Sequence, residues 1–319
     1  MAAVLIMKQL IKNKAGELGF LDIGFADYEP LDREIEQYKK WLEKGNHADM
    51  NWMERNIEKR RDIKKLMPDV QSVIVLAYNY YTGEHYPDKD ELKPNEGLIS
   101  RYAWNYDYHD IVKQKAVDLA EFISEKVPSH NYKCYVDTGP VLEKIWAEKA
   151  GIGWQGKNSL ILSKKFGSYF FIGVILSNLS FEADQPVKDY CMTCTKCIDG
   201  CPTGAITEPK IVDSSKCISY WTIESDPDDV IPEEVAENSK NRIFGCDICQ
   251  EVCPWNKNLP PVSEDERFIP RNDDPVLTFE FIDSLNQTDF SKRFKKSPVK
   301  RAKLAGLKRN AATILNPKQ

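Results

Sequence analysis

The sequence predicts a mixed fold, α+β or α/β, in three parts: a large α/β domain over residues 1–185, a cysteine-rich domain over residues 186–262, and a short basic helical segment over residues 263–319. Helix-type and strand-type hydrophobic patterns alternate along the first part, and eight of the nine cysteines fall between Cys191 and Cys253. A chain of 319 residues with 42% hydrophobic residues has room for two domains and a smaller third.

The first part begins with helical patterns and continues with strands. Apolar residues at three- and four-residue spacing predict helices over 8–17, 32–44 and 50–66. The β-branched and aromatic run over 70–80 predicts a buried strand. Further patterns predict a helix over 110–127, a strand over 132–136, a helix from 138 to 149, and a hairpin that pairs 159–163 with 169–177.

The charge distribution is uneven. The net charge is −5, yet residues 291–310 contain nine Lys or Arg and no acid. Such a segment is a candidate for binding a phosphate backbone, and a solvated helix face is the alternative. No apolar run approaches the roughly 20 residues of a membrane span, and the first residues lack a secretory cleavage site. We therefore expect a cytoplasmic protein that does not associate with a membrane.

The cysteine spacing predicts two [4Fe–4S] clusters. The run from residue 191 to 202 fits the bacterial ferredoxin pattern C-x2-C-x2-C-x3-C-P. The run from residue 246 to 254 lacks one cysteine, which Cys217 can supply. In such ferredoxins the fourth cysteine of each run binds the other cluster. This pattern assigns Cys191, Cys194, Cys197 and Cys253 to one cluster, and Cys201, Cys217, Cys246 and Cys249 to the other.

Two other uses of cysteine fit less well. Zinc sites favour two separated C-x2-C pairs, often with histidine, and a disulfide scaffold needs an oxidising compartment and usually a short chain. The ninth cysteine, Cys134, lies in a short alternating run and is expected to pack within a strand. Two clusters close enough to exchange electrons would make this an electron-transfer protein.

Two motifs leave alternatives open. Residues 151–156 match G-x-G-x-x-G, but helix, glycines and strand follow one another in the wrong order for a nucleotide site. The loop could be a plain turn or could let a large ligand approach the backbone. Asp137 precedes a predicted helix start, so an N-capping role competes with a role as general acid, which would need burial to raise its pKa.

Several motifs occur in fixed order between about residues 10 and 312. They are EKRRD at 58–62, SRYAWNYDYH at 100–109, VDTGPVLE at 136–143, GWQGKNS at 153–159, CISYWTIE at 217–224, FGCDICQ at 244–250 and CPWN at 253–256. Together they resemble the epoxyqueuosine reductase (QueG) family. The chain includes only the opening of the C-terminal helical-repeat extension that longer members use to hold tRNA, and so resembles a short form.

The resemblance implies an oxidoreductase that completes queuosine in the anticodon loop of tRNA, with cobalamin beside the two clusters. It implies a cobalamin-binding α/β domain followed by a ferredoxin-like domain, and Asp137 as the catalytic proton donor. The absence of a D-x-H-x-x-G motif predicts no protein imidazole on the lower face of the cobalt. The cobalamin contacts implied are Arg60, Ser100, Asp137, Lys157, Asn158, Ser159 and Asp247. The tRNA contacts predicted in the basic segment are Lys292, Arg293, Lys295, Lys296, Lys300 and Arg301.

Simpler roles exist for two of these residues, because Arg60 could be a surface charge and Ser100 a cap or turn residue. The expected partners are tRNA carrying epoxyqueuosine and an external low-potential electron donor of the ferredoxin or flavodoxin type, and the protein is expected to be a monomer. Two other functions share the clusters: a non-catalytic electron carrier and a cobalamin-dependent reductive dehalogenase. The large first domain argues against a carrier, and the missing twin-arginine signal argues against a dehalogenase.

Overall fold

The computed structural model describes residues 2–87, 91–257, 262–271 and 275–315. The strands are β1 Phe20–Asp27, β2 Ser72–Asn79, β3 Glu96–Ile99, β4 Tyr132–Tyr135, β5 Trp154–Gln155, β6 Ile161–Leu162, β7 Phe170–Ser177, β8 Ile206–Glu208, β9 Ile211–Val212, β10 Arg242–Phe244 and β11 Val276–Thr278. The α-helices are α1 Ala2–Glu17, α2 Asp32–Glu43, α3 Ile57–Arg61, α4 Tyr108–Lys126, α5 Glu143–Lys149, α6 Lys196–Asp199, α7 Glu233–Glu237, α8 Ile248–Glu251, α9 Phe279–Ser284, α10 Gln287–Arg293 and α11 Lys303–Leu315.

A four-stranded antiparallel sheet in the order β1-β2-β7-β4 organises the first half of the chain. Every residue of β2 is buried, because helices cover both faces of the sheet. Alternate residues face opposite sides of a strand, so Ile74 packs with α1 and α4 while Val75 packs with α2 and α5. Gly24 allows α5 to pack tightly, since a Cβ there would lie 2.0 Å from the carbonyl oxygen of Ala150.

A second sheet joins distant parts of the chain. Its order is β10-β3-β11, with β3 parallel to β10 and antiparallel to β11. These strands come from all three predicted segments, and one hydrophobic core extends from Ile99 through Phe244 to Leu315. The fold is therefore a mixed α+β fold in which the second half of the chain packs against a strand of the first.

The basic C-terminal segment is part of this core. Asn310, on α11, is fully buried, and its amide donates to the carbonyl oxygens of Thr222 and Ile243, both at 2.9 Å. These bonds hold α11 against β10, which leads directly into the second cysteine run.

Several predicted elements differ from the structure. Residues 20–27 form β1, which the sequence patterns did not predict. The helix predicted over 50–66 is reduced to α3, because Asn56 adopts a left-handed conformation with φ of 60° and interrupts it. The predicted hairpin of 159–163 with 169–177 is wrong, since β6 pairs with β5 while β7 pairs with β2 and β4.

Among the described residues, no helix has the length and apolar content needed to cross a membrane.

Candidate functional site

A cleft of about 2160 Å³ lies between the four-stranded sheet and the cysteine-rich half of the chain. One wall comes from α2, the loop between β4 and α5, and β7, and the other from parts of residues 201–250 and 297–301. Pockets for ordinary small ligands measure about 300–1,000 Å³. The cleft is therefore large enough for a bulky cofactor together with part of a substrate.

The first predicted cysteine quartet lines a separate cavity of about 250 Å³. Its thiols are close enough to influence one another, because burial and then the neighbouring Cys191 and Cys253 raise the pKa of Cys197. The indole Nε1 of Trp154 donates to Sγ of Cys191 at 3.4 Å. The cavity brings together Cys191, Cys194, Cys197 and Cys253.

The second predicted quartet lies in the wall of the large cleft. Burial raises the pKa of the Cys246 thiol to about 12. Burial also raises the pKa of Cys249, with further contributions from the other three thiols. Buried thiols that share a site release their protons when metal binds, so this arrangement suits a cluster. The residues brought together are Cys201, Cys217, Cys246 and Cys249.

Asp137 follows the end of β4 and faces the cleft, with its side chain 66% exposed. The capping interpretation is wrong, because α5 begins at Glu143 and its N-cap position is Leu142. The backbone of Asp137 is left-handed with φ of 52°, and its N–H donates to Oε1 of Glu143 at 2.8 Å. Glu143 therefore stabilises an unusual backbone conformation at Asp137.

Two neighbours hold the carboxylate of Asp137. The hydroxyl of Tyr108 donates to its Oδ2 at 2.5 Å, and Nε2 of His109 lies 3.7 Å from the same oxygen. Desolvation inside the cleft would raise the pKa of Asp137, but the contacts with His109 and Tyr108 and the charge of Lys144 lower it overall. Burial and the adjacent Asp137 raise the pKa of Glu143 to about 8. The site therefore combines an ionised carboxylate with a neutral carboxyl at neutral pH.

Sequence reasoning left Tyr108, His109, Glu143 and Lys144 without roles. A signal was present, since the Asp-Tyr-His run at 107–109 immediately precedes a predicted helix. Asp107 caps α4 by accepting from the backbone N–H of His109 at 3.0 Å, and its Oδ1 lies 2.6 Å from Nδ1 of the same residue. The cap therefore fixes the orientation of the imidazole.

Arg60 and Ser100 are buried in the cleft wall, with 8% and 1% of their surfaces exposed. Arg60 is thus not a surface charge. Ser100 precedes a 3-10 turn, but its hydroxyl makes no capping hydrogen bond. Nε of Arg60 and Oγ of Ser100 have no hydrogen-bond partner. Buried polar atoms are normally satisfied, so these two residues are candidates for contact with a polar ligand in the cleft.

The other predicted cofactor contacts are distributed over both cavities. Asn158 and Ser159 line the cleft, whereas Lys157 lines the smaller cavity and donates to the carbonyl oxygen of Met192 at 2.8 Å. Asp247 lines the cleft, and its Oδ2 accepts from the backbone N–H of Arg101 at 2.8 Å and from the hydroxyl of Tyr86 at 2.7 Å. Asp247 thus also ties the second cysteine run to the first half of the chain.

The glycines at 151–156 serve backbone packing. A Cβ at Gly153 would lie 2.1 Å from the carbonyl oxygen of Leu162, and one at Gly151 would lie 2.6 Å from that of Gln185. The loop follows α5 and leads into β5, so no helix follows the glycines.

Of the six predicted tRNA contacts, two line the cleft and four do not. Lys300 and Arg301 line the cleft, and Arg301 forms an ion pair with Glu224 at 2.7 Å. Arg293 is half-buried, with its guanidinium 5.6 Å from the ring of Phe281. Among the six predicted contacts, the exposed cations are Lys292, Lys295, Lys296, Lys300 and Arg301. We call these five residues the basic rim, of which Lys300 and Arg301 line the cleft.

Comparisons with known proteins indicate the same family in different parts of the chain. A family model described as "Epoxyqueuosine reductase QueG, DUF1730" matches residues 60–138, and one described as "4Fe-4S double cluster binding domain" matches residues 190–256. An epoxyqueuosine reductase from Atelocyanobacterium thalassa is 41% identical over 98% of this chain and 100% of its own. The Escherichia coli enzyme is 38% identical over 97% of this chain and 80% of its own.

Solved structures give the same result. An epoxyqueuosine reductase crystallised with an epoxyqueuosine-modified tRNA-Tyr stem loop has a TM-score of 0.90 and 30% identity, covering 98% of this chain and 81% of its own. The Bacillus subtilis enzyme, solved with its catalytic aspartate loop swung out of the active site, has a TM-score of 0.86 and 28% identity, covering 98% and 82%. The chain belongs to the epoxyqueuosine reductase family, whose members are oxidoreductases that use iron–sulfur clusters and cobalamin.

Proposed function

We propose that this chain reduces epoxyqueuosine to queuosine in the anticodon loop of tRNA, with cobalamin in the cleft and two [4Fe–4S] clusters held by the two cysteine quartets. One observation carries the proposal: Asp137, the second quartet, Arg60 and Ser100 all line the same cleft. A related reductase binds an epoxyqueuosine-modified tRNA stem loop, which supports the same substrate for this chain.

The residues of the cleft fit a large polar cofactor. Arg60, Ser100, Asn158, Ser159 and Asp247 all line the cleft and provide polar groups for the amides and phosphate of such a cofactor. Bound cobalamin would supply a metal centre that can reach a strongly reduced state next to the substrate. The second quartet lies in the wall of the same cleft. This supports a short path for electrons from its cluster to the cofactor.

Asp137 is the proposed proton donor to the departing epoxide oxygen. It faces the cleft, and Tyr108 and Glu143 fix its position. Its lowered pKa leaves the carboxyl ionised at neutral pH, so Asp137 must receive a proton before it can give one. Tyr108 orients the carboxylate, because burial and the adjacent Asp137 raise the pKa of the phenol and keep it protonated.

Each of the three segments of the chain has a role in this proposed function. Residues 1–185 would form the cobalamin-binding domain, residues 186–262 the ferredoxin-like domain, and residues 263–319 the basic segment. The basic rim would bind tRNA phosphates, and a ferredoxin or flavodoxin would supply electrons in the cytoplasm to a monomeric enzyme. Similarity to reductases over nearly the whole chain favours this function over an electron carrier or a dehalogenase.

Anaerobic reconstitution with iron, sulfide and cobalamin tests the proposal. We expect cluster signals and a stoichiometric cob(II)alamin signal in absorption and EPR spectra, followed by conversion of epoxyqueuosine-containing tRNA. Asp137→Asn should lose activity by at least about a hundredfold with its clusters intact. The exposed Asp110→Asn is the matched control. Clusters without corrinoid binding would instead indicate an electron carrier, and full activity of Asp137→Asn would remove its proposed role.

A further inference from the structure

The proposed function leaves the source of the protons open. Conversion of an epoxide to an alkene consumes two protons, and the carboxylate of Asp137 is ionised at neutral pH. A proton store must therefore lie within reach of this carboxylate and hold its proton at the working pH. Three protonated groups lie beside Asp137: Tyr108, Glu143 and His109. The raised pKa of the Tyr108 phenol disfavours release of its proton, and Glu143 contacts the backbone N–H of Asp137 rather than its carboxylate. His109 remains, with Nε2 at an ion-pair distance from Oδ2 of Asp137.

His109 lies between two carboxylates. Its Nδ1 is 2.6 Å from Oδ1 of Asp107, and its Nε2 is 3.7 Å from Oδ2 of Asp137. The second distance is an ion-pair distance, about 0.7 Å longer than a hydrogen bond, so a small movement of the exposed Asp137 side chain closes it. The imidazole also stacks on the ring of Tyr108, with centroids 4.1 Å apart, and Tyr108 stacks on Phe171. Asp107 and Tyr108 therefore hold the imidazole next to the carboxylate that Tyr108 and Glu143 position.

We propose that the Asp107–His109 pair is the proton store of this enzyme and that each proton which Asp137 delivers comes from Nε2 of His109. This inference rests on the proposed function, because it assigns the source of the protons that Asp137 transfers. Asp107 acts through His109, so it is a positioning residue rather than a catalytic one.

The electrostatic surroundings support a charged imidazole. Burial lowers the pKa of His109, but hydrogen bonds and charge from Asp107 and Asp137 outweigh it and raise the pKa to about 9. The stored proton is thus present at neutral pH. Because the pKa of Asp137 is lowered, His109 transfers its proton to that carboxylate only as the departing alkoxide, a much stronger base than either group, takes it up. The other titratable groups that act on the two carboxylates or lie beside them are Tyr102, Tyr108, Glu143, Lys144 and Arg301.

The chemistry balances with this store. Loss of the epoxide oxygen breaks two C–O bonds, forms the second bond of a C=C, and releases one water, using two electrons and two protons. A low-potential one-electron reductant supplies the electrons. Nε2 of His109 protonates Asp137, Asp137 passes the proton to the departing oxygen, and solvent recharges the imidazole, which is 32% exposed. The cycle runs twice for each product.

The first test measures the imidazole without turnover. The chain has four histidines, so the ring signals of a cluster-loaded, histidine-labelled enzyme can be followed by NMR and assigned with His109→Gln. We expect His109 to titrate near pH 9, and Asp107→Asn to move its midpoint toward 6.5. Asparagine is also a preferred N-cap, so Asp107→Asn keeps the start of α4 intact. A midpoint near 6.5 in the unmodified enzyme, or no change in Asp107→Asn, would overturn the proposal.

The second test measures turnover against pH. We expect the rate to fall above pH 9 in the unmodified enzyme and at a lower pH in Asp107→Asn, with KM for tRNA unchanged. His109→Gln should lower kcat about a hundredfold at pH 7.5, whereas the exposed His85→Gln should keep it. A His109→Gln rate within twofold of the unmodified enzyme would refute the store but leave the reductase intact. An unmodified holoenzyme without epoxide reduction would refute the proposed function itself, whatever the NMR titration gives.

Discussion

The hydrogen bond from Trp154 to Cys191 offers a quantitative test of how the protein controls its first cluster. Trp154 is fully buried, and its ring contacts Tyr190 and Trp255 edge-on at centroid distances of 5.3 and 5.2 Å. Trp154→Phe removes the N–H but keeps an aromatic ring in this packing. The substitution therefore changes the hydrogen bond to sulfur more than the shape of the cavity.

The expected effect is a lower reduction potential. A hydrogen bond to a charged group contributes about 1.5–3 kcal/mol, and it strengthens when reduction adds negative charge to the cluster and its thiolates. If about 1 kcal/mol of that energy is specific to the reduced state, its loss lowers a one-electron potential by about 40 mV, since 59 mV corresponds to a tenfold change in the equilibrium constant. The second cluster should keep its potential.

An EPR-monitored redox titration of the cluster-loaded protein measures both potentials. Trp41→Phe is the matched control, because the indole of Trp41 donates to the carbonyl oxygen of Val212 at 2.8 Å rather than to a thiolate. An unchanged or higher potential in Trp154→Phe would refute the reasoning. An equal shift in Trp41→Phe would show that loss of an indole perturbs the protein as a whole.

Three further predictions concern pH, packing and tRNA. The folded protein raises the pKa of Glu143 from 4.5 to about 8, so this residue reduces stability as pH rises through that range. The Tm of Glu143→Gln relative to the unmodified protein should therefore increase from pH 5 to pH 8, and a constant difference would contradict this sign. Asn310→Leu leaves the buried carbonyls of Thr222 and Ile243 unpaired, which should cost about 3 kcal/mol and lower the urea midpoint; an unchanged midpoint would argue against it. Arg301→Ala should weaken tRNA binding and reduce its log–log salt slope by about one, and an unchanged slope would exclude a phosphate contact.

The cysteine spacing could be interpreted from sequence because cluster ligation depends on short, local intervals. Three cysteines at two-residue intervals and a following Cys-Pro predict a cluster without knowledge of the fold. The double cluster domain matched over residues 190–256 agrees with that reading. Cys217 lies outside both cysteine runs, so its assignment to a cluster required an assumption about tertiary structure.

Other features depended on contacts that local patterns do not contain. Asp137 is followed by Thr-Gly-Pro, which is typical of a helix start, yet five residues separate it from α5. Its left-handed backbone depends on the hydrogen bond to Glu143. The strand β1 was missed for a similar reason, since its polar Asp22 and Asp27 interrupt the strict alternation that predicts a strand. Helical spacing over 50–66 likewise could not reveal the left-handed Asn56.

The unequal positions of the two cysteine quartets have a consequence for how the enzyme is assembled. Cys201, Cys217, Cys246 and Cys249 form part of the cleft wall, while the other quartet lines its own cavity. A corrinoid in the cleft would cover the wall quartet, so we expect iron and sulfide to be inserted there first. Maturation would then be ordered, and a wall cluster destroyed by oxygen could be rebuilt only after the corrinoid leaves.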